Sequence, residues 1–239
     1  MLCAGAERRV WPELIADHVR LVTTPPRELA ELTQAEFEAG LRLRLVETES
    51  VADPDNLGYA RLVAPGLVEV LSVDLPDTVA TPSAEELAAR GTLRELIARG
   101  RENLQALLTT EDYRCEIVDE GSKRRYVVVT GDSFFTASLA LVLPDATLHF
   151  TGERHGGLGT LVAVPGRHQL LYRPVDAPEA EFALRRMFEV ARLGSYDAVA
   201  PLSPNVFWVR DRGWLPVTSF EDGRPRVVLG ELRDVLRRL

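Results

Sequence analysis

The sequence predicts an α+β fold, a mainly antiparallel sheet built from hairpins with helices packed on one face. Three observations carry this. Strand-like segments come in pairs around short turns rather than one per helix, which disfavours a doubly wound parallel sheet. G-T-L-V-A-V-P-G-R-H-Q-L-L-Y-R-P-V, residues 159–175, reads as two apolar strands folded on Pro165-Gly166-Arg167-His168. Amphipathic helices then separate the hairpins instead of crossing over between parallel strands.

In chain order, Thr33 and Glu36 have the spacing of a capping box, and Phe37, Leu41 and Leu45 recur at four-residue intervals, which predicts a helix through Gly40. A polar stretch follows, and G-L-V-E-V-L-S-V-D-L-P predicts a strand ending at Asp74 and Pro76. Beyond Pro82 and Gly91, Leu93, Leu96, Ile97, Leu104, Leu107 and Leu108 form a helical stripe with Gly100 at its centre. A helix-interior glycine costs about 1 kcal/mol against alanine, so Gly100 predicts close approach of another backbone.

C-E-I-V-D-E and R-Y-V-V-V-T, joined at Gly121-Ser122, predict a hairpin. Ser133 then caps a helix carrying Phe134, Leu139, Leu141 and Val142 that stops before Pro144. After the 159–175 strand pair, Pro178 and Gly194 bracket another helix, V-F-W-V-R-D-R-G-W-L-P-V forms a second hairpin, and Leu232, Val235, Leu236 and Leu239 stripe a terminal helix. Pro216 cannot donate to a ladder, so its strand is expected at a sheet edge. The expected division is an N-terminal helical segment over 1–66 and an α+β domain over 67–239.

Among the 239 residues, 46% are hydrophobic and 27% charged, an ordinary globular composition. With 36 acidic against 28 basic residues the net charge is −8, which repels a phosphate backbone and argues against nucleic acid as a partner. Cys3 and Cys115 supply neither a disulfide framework nor metal-ligand spacing. No leader pattern opens the chain and no run approaches the roughly 18 apolar residues of a membrane span. A cytoplasmic protein, with no membrane association and no cofactor, is expected.

The sharpest chemical motif is Gly131-Asp132-Ser133 between an apolar strand and a helix, a context that can lift a nucleophilic serine toward an oxyanion site. It looks like the G-D-S block of the SGNH hydrolases. That family adds a G-x-N-D block and a late D-x-x-H motif, and this chain has neither. Capping by Ser133 is the simpler reading, and Ser133 remains a weak catalytic candidate.

His149, Glu153 and His155 are of ligating type but lack helical two-histidine spacing, so no metal is expected. Gly152, Gly156, Gly157 and Gly159 match neither a P-loop nor a dinucleotide fingerprint. Asp74, Asp77, Asp132 and Asp145 close apolar runs and could pair for acid–base work, although turn chemistry explains them as well.

Arg167 and His168 form a basic tip, beside the run Lys123-Arg124-Arg125, that could receive an anionic ligand or an acidic partner. Phe207, Trp208 and Trp214 cluster on the late hairpin and could offer a partner surface. Arg167, His168, Phe207, Trp208 and Trp214 are thus the candidate interaction residues.

L-S-V-D-L-P-D-T-V, R-E-N-L-Q-A-L, G-D-S-F-F-T-A-S-L-A-L-V-L-P, V-A-V-P-G-R and L-S-P-N-V-F-W-V-R, taken in order, resemble the YtpQ-like family of uncharacterised bacterial proteins over roughly residues 67–215. The resemblance implies bacterial origin and a cytosolic α+β unit, and no activity. Family members usually carry an aspartate after the arginine of the V-P-x-R turn, where this chain has His168. The reading that follows is a non-enzymatic protein-interaction module whose partner is another protein. A serine hydrolase using Ser133 and a small-molecule-binding regulator are the alternatives.

Overall fold

The computed structural model describes residues 28–50, 57–76, 78–119, 121, 125–154, 157–211 and 213–239. Helix α1 (Gln34–Gly40) opens on the expected capping box: Glu36 N–H donates to Thr33 Oγ1 at 3.2 Å and Thr33 N–H to the Glu36 carboxylate at 2.8 Å. It buries Phe37 and ends at Gly40.

The helix expected to continue through Leu45 is instead strand β1 (Leu41–Glu47). L-R-L-R-L alternates at a period of two, burying Leu41, Leu43 and Leu45 and turning Arg42 and Arg44 to the other face. A four-residue spacing satisfies both periods, and the intervening arginines decide for the strand.

β1 pairs antiparallel with β3 (Leu67–Leu75), from Leu41 opposite Val73 to Glu47 opposite Leu67. On the other side of β3 lie β2 (Arg61–Ala64), with an irregularity between Leu62 and Ala64, and β4 (Thr78–Ala80). The boundary expected between residues 66 and 67 therefore runs between paired strands, and the expected helical segment holds two strands of this sheet, at 41–47 and 61–64. Residues 1–27 of that segment, with Cys3, lie outside the described residues.

Helix α2 (Ala84–Ala88) and helix α3 (Leu93–Thr110) open on two further capping boxes, Ser83 with Glu86 and Thr92 with Glu95. The α3 stripe buries Leu96, Gly100, Leu104, Leu107 and Leu108. At Gly100 an added Cβ would sit 2.8 Å from Leu71 Cδ2, 3.2 Å from Leu43 N and 3.3 Å from Arg42 C, so the glycine permits close packing on β1.

The second sheet is antiparallel throughout, in the order β10 (Gly213–Pro216), β9 (Val206–Arg210), β7 (Thr160–Ala163), β8 (Gln169–Pro174), β6 (Tyr126–Gly131) and β5 (Tyr113–Val118). The three expected hairpins, β5–β6, β7–β8 and β9–β10, are all present, and β10 with Pro216 is an edge strand. A small ribbon of β11 (Thr218–Glu221) and β12 (Arg224–Val227) follows, turning at Asp222-Gly223, both with positive φ. That pair is the signature of a tight I′ hairpin turn.

Between β6 and β7 a 3₁₀ helix (Ala137–Val142) runs into helix α4 (Leu143–Thr151). Pro144 starts this helix rather than stopping one, because first-turn N–H groups have no intrahelical partner to lose. Helix α5 (Ala180–Asp197) begins two residues after Pro178 and continues past Gly194, and α6 (Leu232–Leu236) closes the chain.

Strand alternation divides the core. One face of the six-stranded sheet presents Val129, Val162, Tyr172 and Phe207 to the leucines of β1, β3 and α3 and to the 3₁₀ helix. The other presents Leu161, Leu171 and Trp208 to Leu184, Met187 and Ala191 of α5 and to Leu232 and Leu236 of α6. The fold is α+β, with mainly antiparallel sheets.

Candidate functional site

β6 lies beside β8, with Thr130 opposite Gln169, so the segment after β6 and the turn before β8 meet at one end of the sheet. Gly131 N–H donates to His168 O at 3.2 Å and Ala137 N–H to Arg167 O at 3.0 Å. Gly131-Asp132-Ser133 and Arg167-His168, separate motifs in the sequence, thus form one rim.

Ser133 is held by its own turn. Its Oγ accepts the Phe135 N–H at 3.3 Å, and its carbonyl accepts the Thr136 N–H and hydroxyl at 3.2 and 2.9 Å. It does not cap a helix: the 3₁₀ helix begins after Thr136, with no side-chain cap.

His168 Nε2 accepts from Arg167 Nε at 2.9 Å, and Nδ1 lies 3.1 Å from Gly131 O. These partners select the tautomer, since only an Nδ1–H can donate to the carbonyl while Nε2 accepts. Both ring nitrogens are thereby engaged away from the Ser133 hydroxyl. A serine–histidine relay requires one of them directed at that hydroxyl.

The Arg167 guanidinium carbon lies 4.0 Å from the centre of the Phe134 ring, a cation–π contact. Arg44, on β1, is near enough to feel the Arg167 charge. Its Nε is buried without a hydrogen-bond partner, and burial first, then the Arg167 charge, hold its pKa below the usual arginine value. Among the described residues no carboxylate forms an ion pair with Arg44 or Arg167. Arg42, two residues earlier, differs: it pairs with Asp74 at 3.3 Å and donates to Gly40 O at 2.8 Å.

Two clefts flank His168. One of about 530 Å³ lies between Tyr113, Thr130, Asp132 and His168, and one of about 260 Å³ among Gly166, Arg167, Gly194 and Val199. Arg167 lines the smaller cleft, whose described walls hold no carboxylate, whereas Asp112 and Asp132 line the larger one, so the smaller cleft is the one suited to an anionic group.

The remaining candidates do not join it. His149 stacks edge-on to Phe150 in α4, Glu153 pairs with Arg125, and His155, Lys123 and Arg124 lie outside the described residues. Among the described residues no three ligating side chains cluster. Asp74 is taken by Arg42, Asp145 accepts from Gln105 at 2.8 Å, Asp132 is exposed, and Asp77 lies outside the described residues. Burial raises the Asp74 pKa against the opposing pull of Arg42.

Gly159, with φ of 91°, backs onto Trp208: an added Cβ would lie 2.6 Å from the indole nitrogen and from Val209 O. Its freedom serves packing rather than a phosphate. Gly156 lies outside the described residues. Phe207 and Trp208 are buried on opposite faces of the sheet, with Trp208 Nε1–H donating to Leu158 O at 2.9 Å. Of that cluster only Trp214 is partly exposed, its ring 5.8 Å from Phe207.

Arg44 is the site residue that the sequence reading missed, and L-R-L-R-L was the signal for it. Among the described residues no helix is long and apolar enough to cross a membrane. No family model, curated protein or solved structure matches the chain.

Proposed function

We propose that the protein is a non-catalytic binding module of the cytoplasm that receives a carboxylate- or phosphate-bearing segment of a protein partner on the Arg44–Arg167 rim. The observation that carries the reading is the Arg44 Nε, buried without a partner where the Arg167 charge adds to burial in holding the Arg44 pKa down, while among the described residues no carboxylate forms an ion pair with either arginine. Such a pair of arginines costs folding free energy, and an anion bridging it recovers that cost as affinity. In a chain of net charge −8, an unneutralised basic rim is a local reversal of the field that steers acidic groups toward it. Guanidiniums bind carboxylate and phosphate through two parallel hydrogen bonds, and the smaller cleft beside Arg167 leaves room for the chain that carries them.

The test is calorimetric titration of the full chain with a hexaglutamate peptide and with inorganic phosphate at matched ionic strength. Saturable binding is expected, at least about tenfold weaker in Arg167→Gln and in Arg44→Gln, because each removes one charge-assisted contact. Arg99→Gln, which removes an exposed arginine paired with Glu102 on α3, leaves it unchanged. Equal, unsaturable binding in all variants overturns the proposal. A second readout needs no ligand: Arg44→Met removes a buried unpaired donor and is expected to stabilise the free protein by about 1 kcal/mol.

A further inference from the structure

The two ends of the six-stranded sheet are unlike. At one end β10 carries Pro216 and lies beside β2. At the other, β5 has β6 as its one strand partner among the described residues, and four of its six residues are exposed. An edge strand is a template for another strand, and natural proteins blunt such edges with prolines, lysines, bulges or a covering element. β5 has no proline and no lysine, and its ladder with β6 runs without a break from Tyr113 to Val118.

The sequence of this edge is complementary to itself in one antiparallel register. When a second strand is centred on Cys115, Arg114 stands opposite Glu116 of the second copy, Glu116 opposite Arg114, and Tyr113 opposite Ile117. Centring on Arg114 or Glu116 puts like charges opposite each other. Centring between residues 115 and 116 sets Arg114 against Ile117 and Cys115 against Glu116, pairing no charges. Opposite charges across a strand pair are favourable and like charges unfavourable, so of the registers centred from Arg114 to Glu116, where the two strands overlap most, the Cys115 register is selected.

Arg114 and Glu116 already form an ion pair on one face of β5, so the second copy extends it into an alternating row of four charges. On the other face, Ile117 is 55% exposed, and the register brings it beside Tyr113 of the second copy, whose ring packs edge-on to Phe150 at 5.5 Å.

We infer that the protein forms a two-fold homodimer in which β5 of each copy adds to the other's sheet, centred on Cys115. The occupant of the edge is a second copy of this chain. The assembly involves neither Arg44 nor Arg167, but Tyr113 and Arg114 also line the larger cleft beside His168; association is read without any anion present, so its failure and the failure of the anion-binding reading are distinguishable.

Sedimentation equilibrium of the full chain over about 1–100 μM, the range of moderate affinities, tests this. A dimer is expected. Arg114→Glu sets like charges opposite each other at both symmetric positions and is expected to weaken the dimer at least about tenfold, as is Glu116→Arg. Arg114→Glu combined with Glu116→Arg restores the pairing with signs exchanged, and the dimer with it. Far-UV circular dichroism, unchanged in all three, establishes that they fold.

A Cys3→Ser background adds a readout of register. Directly opposed cysteines lie within the Cα separation of about 4.4–6.8 Å that a disulfide spans. Treatment with diamide therefore links two chains through Cys115: the two thiols lose two protons and two electrons, the S–S bond forms, and diamide is reduced to the hydrazine. Cys115→Ser remains unlinked. A monomer at every concentration, a dimer indifferent to Arg114→Glu, or failure of the double exchange to restore association overturns the inference.

Discussion

At the scale of single residues, Ser133 and Arg44 show opposite uses of a polar side chain. The Ser133 hydroxyl stabilises the turn after β6 by accepting the N–H of the buried Phe135. Ser133→Ala is therefore expected to cost about 0.5–1.5 kcal/mol, one net hydrogen bond, and to leave anion affinity unchanged. Urea unfolding beside the same titration checks both, and a loss of affinity with stability intact would make Ser133 part of the binding site. Arg44 instead carries a buried donor that no described residue satisfies. The serine was legible because G-D-S stands out locally. The arginine was not, because its importance depends on Arg167, 123 residues later, a proximity that no local pattern encodes.

At the scale of elements, glycines report contacts that residue periodicity alone does not. Gly100 gives up about 1 kcal/mol of helix propensity, yet it lies on the buried stripe of α3 against the backbone of β1. Gly100→Ala would recover that propensity while driving a methyl to 2.8 Å from Leu71 Cδ2 and 3.2 Å from Leu43 N. Leu71 is itself buried, and the strand backbone cannot rotate away as a side chain can. A net loss of about 1–3 kcal/mol is expected, the usual cost of overpacking, and a lowered midpoint on thermal unfolding checks it. A gain in stability would mean that α3 can lift from the sheet. The same region shows where the sequence was ambiguous. The Thr33–Glu36 box was legible and correct, whereas Phe37, Leu41 and Leu45 fit helix and strand alike until β3 supplies a partner ladder. Hairpin signals were legible for a complementary reason, since a turn and its two flanking strands are contiguous in sequence. Pro144 misled because a proline marks either end of a helix, and which one depends on the turn before it.

At the scale of the whole molecule, the first strand is no appendage. The hairpin-rich part of the sequence begins near residue 67, which invites a cut there, yet one core runs from Leu32 and Phe37 through Leu71 and Leu104 to Val129, Tyr172 and Phe207. A chain beginning at residue 67 would strip β1 from one side of β3 and β2 from the other, leaving β3 only its three-residue pairing with β4. Phe37, Leu41, Leu43 and Leu45, all buried, would be missing from above Leu71, Val73 and Leu104. Each absent large side chain forfeits about 1.5–3 kcal/mol of burial, and four together approach the 5–15 kcal/mol by which a typical domain is stable at all. Residues 67–239 alone are therefore expected to lack a cooperative thermal transition and to bind a hydrophobic dye through the uncovered face, while the full chain melts in one step. Adding residues 28–66 as a separate peptide should restore the transition, because the missing ladder and leucines are supplied without a covalent link. A cooperative melt of residues 67–239 near the midpoint of the full chain would show that the six-stranded sheet and its helices form a complete core of their own, and that β1 merely decorates it.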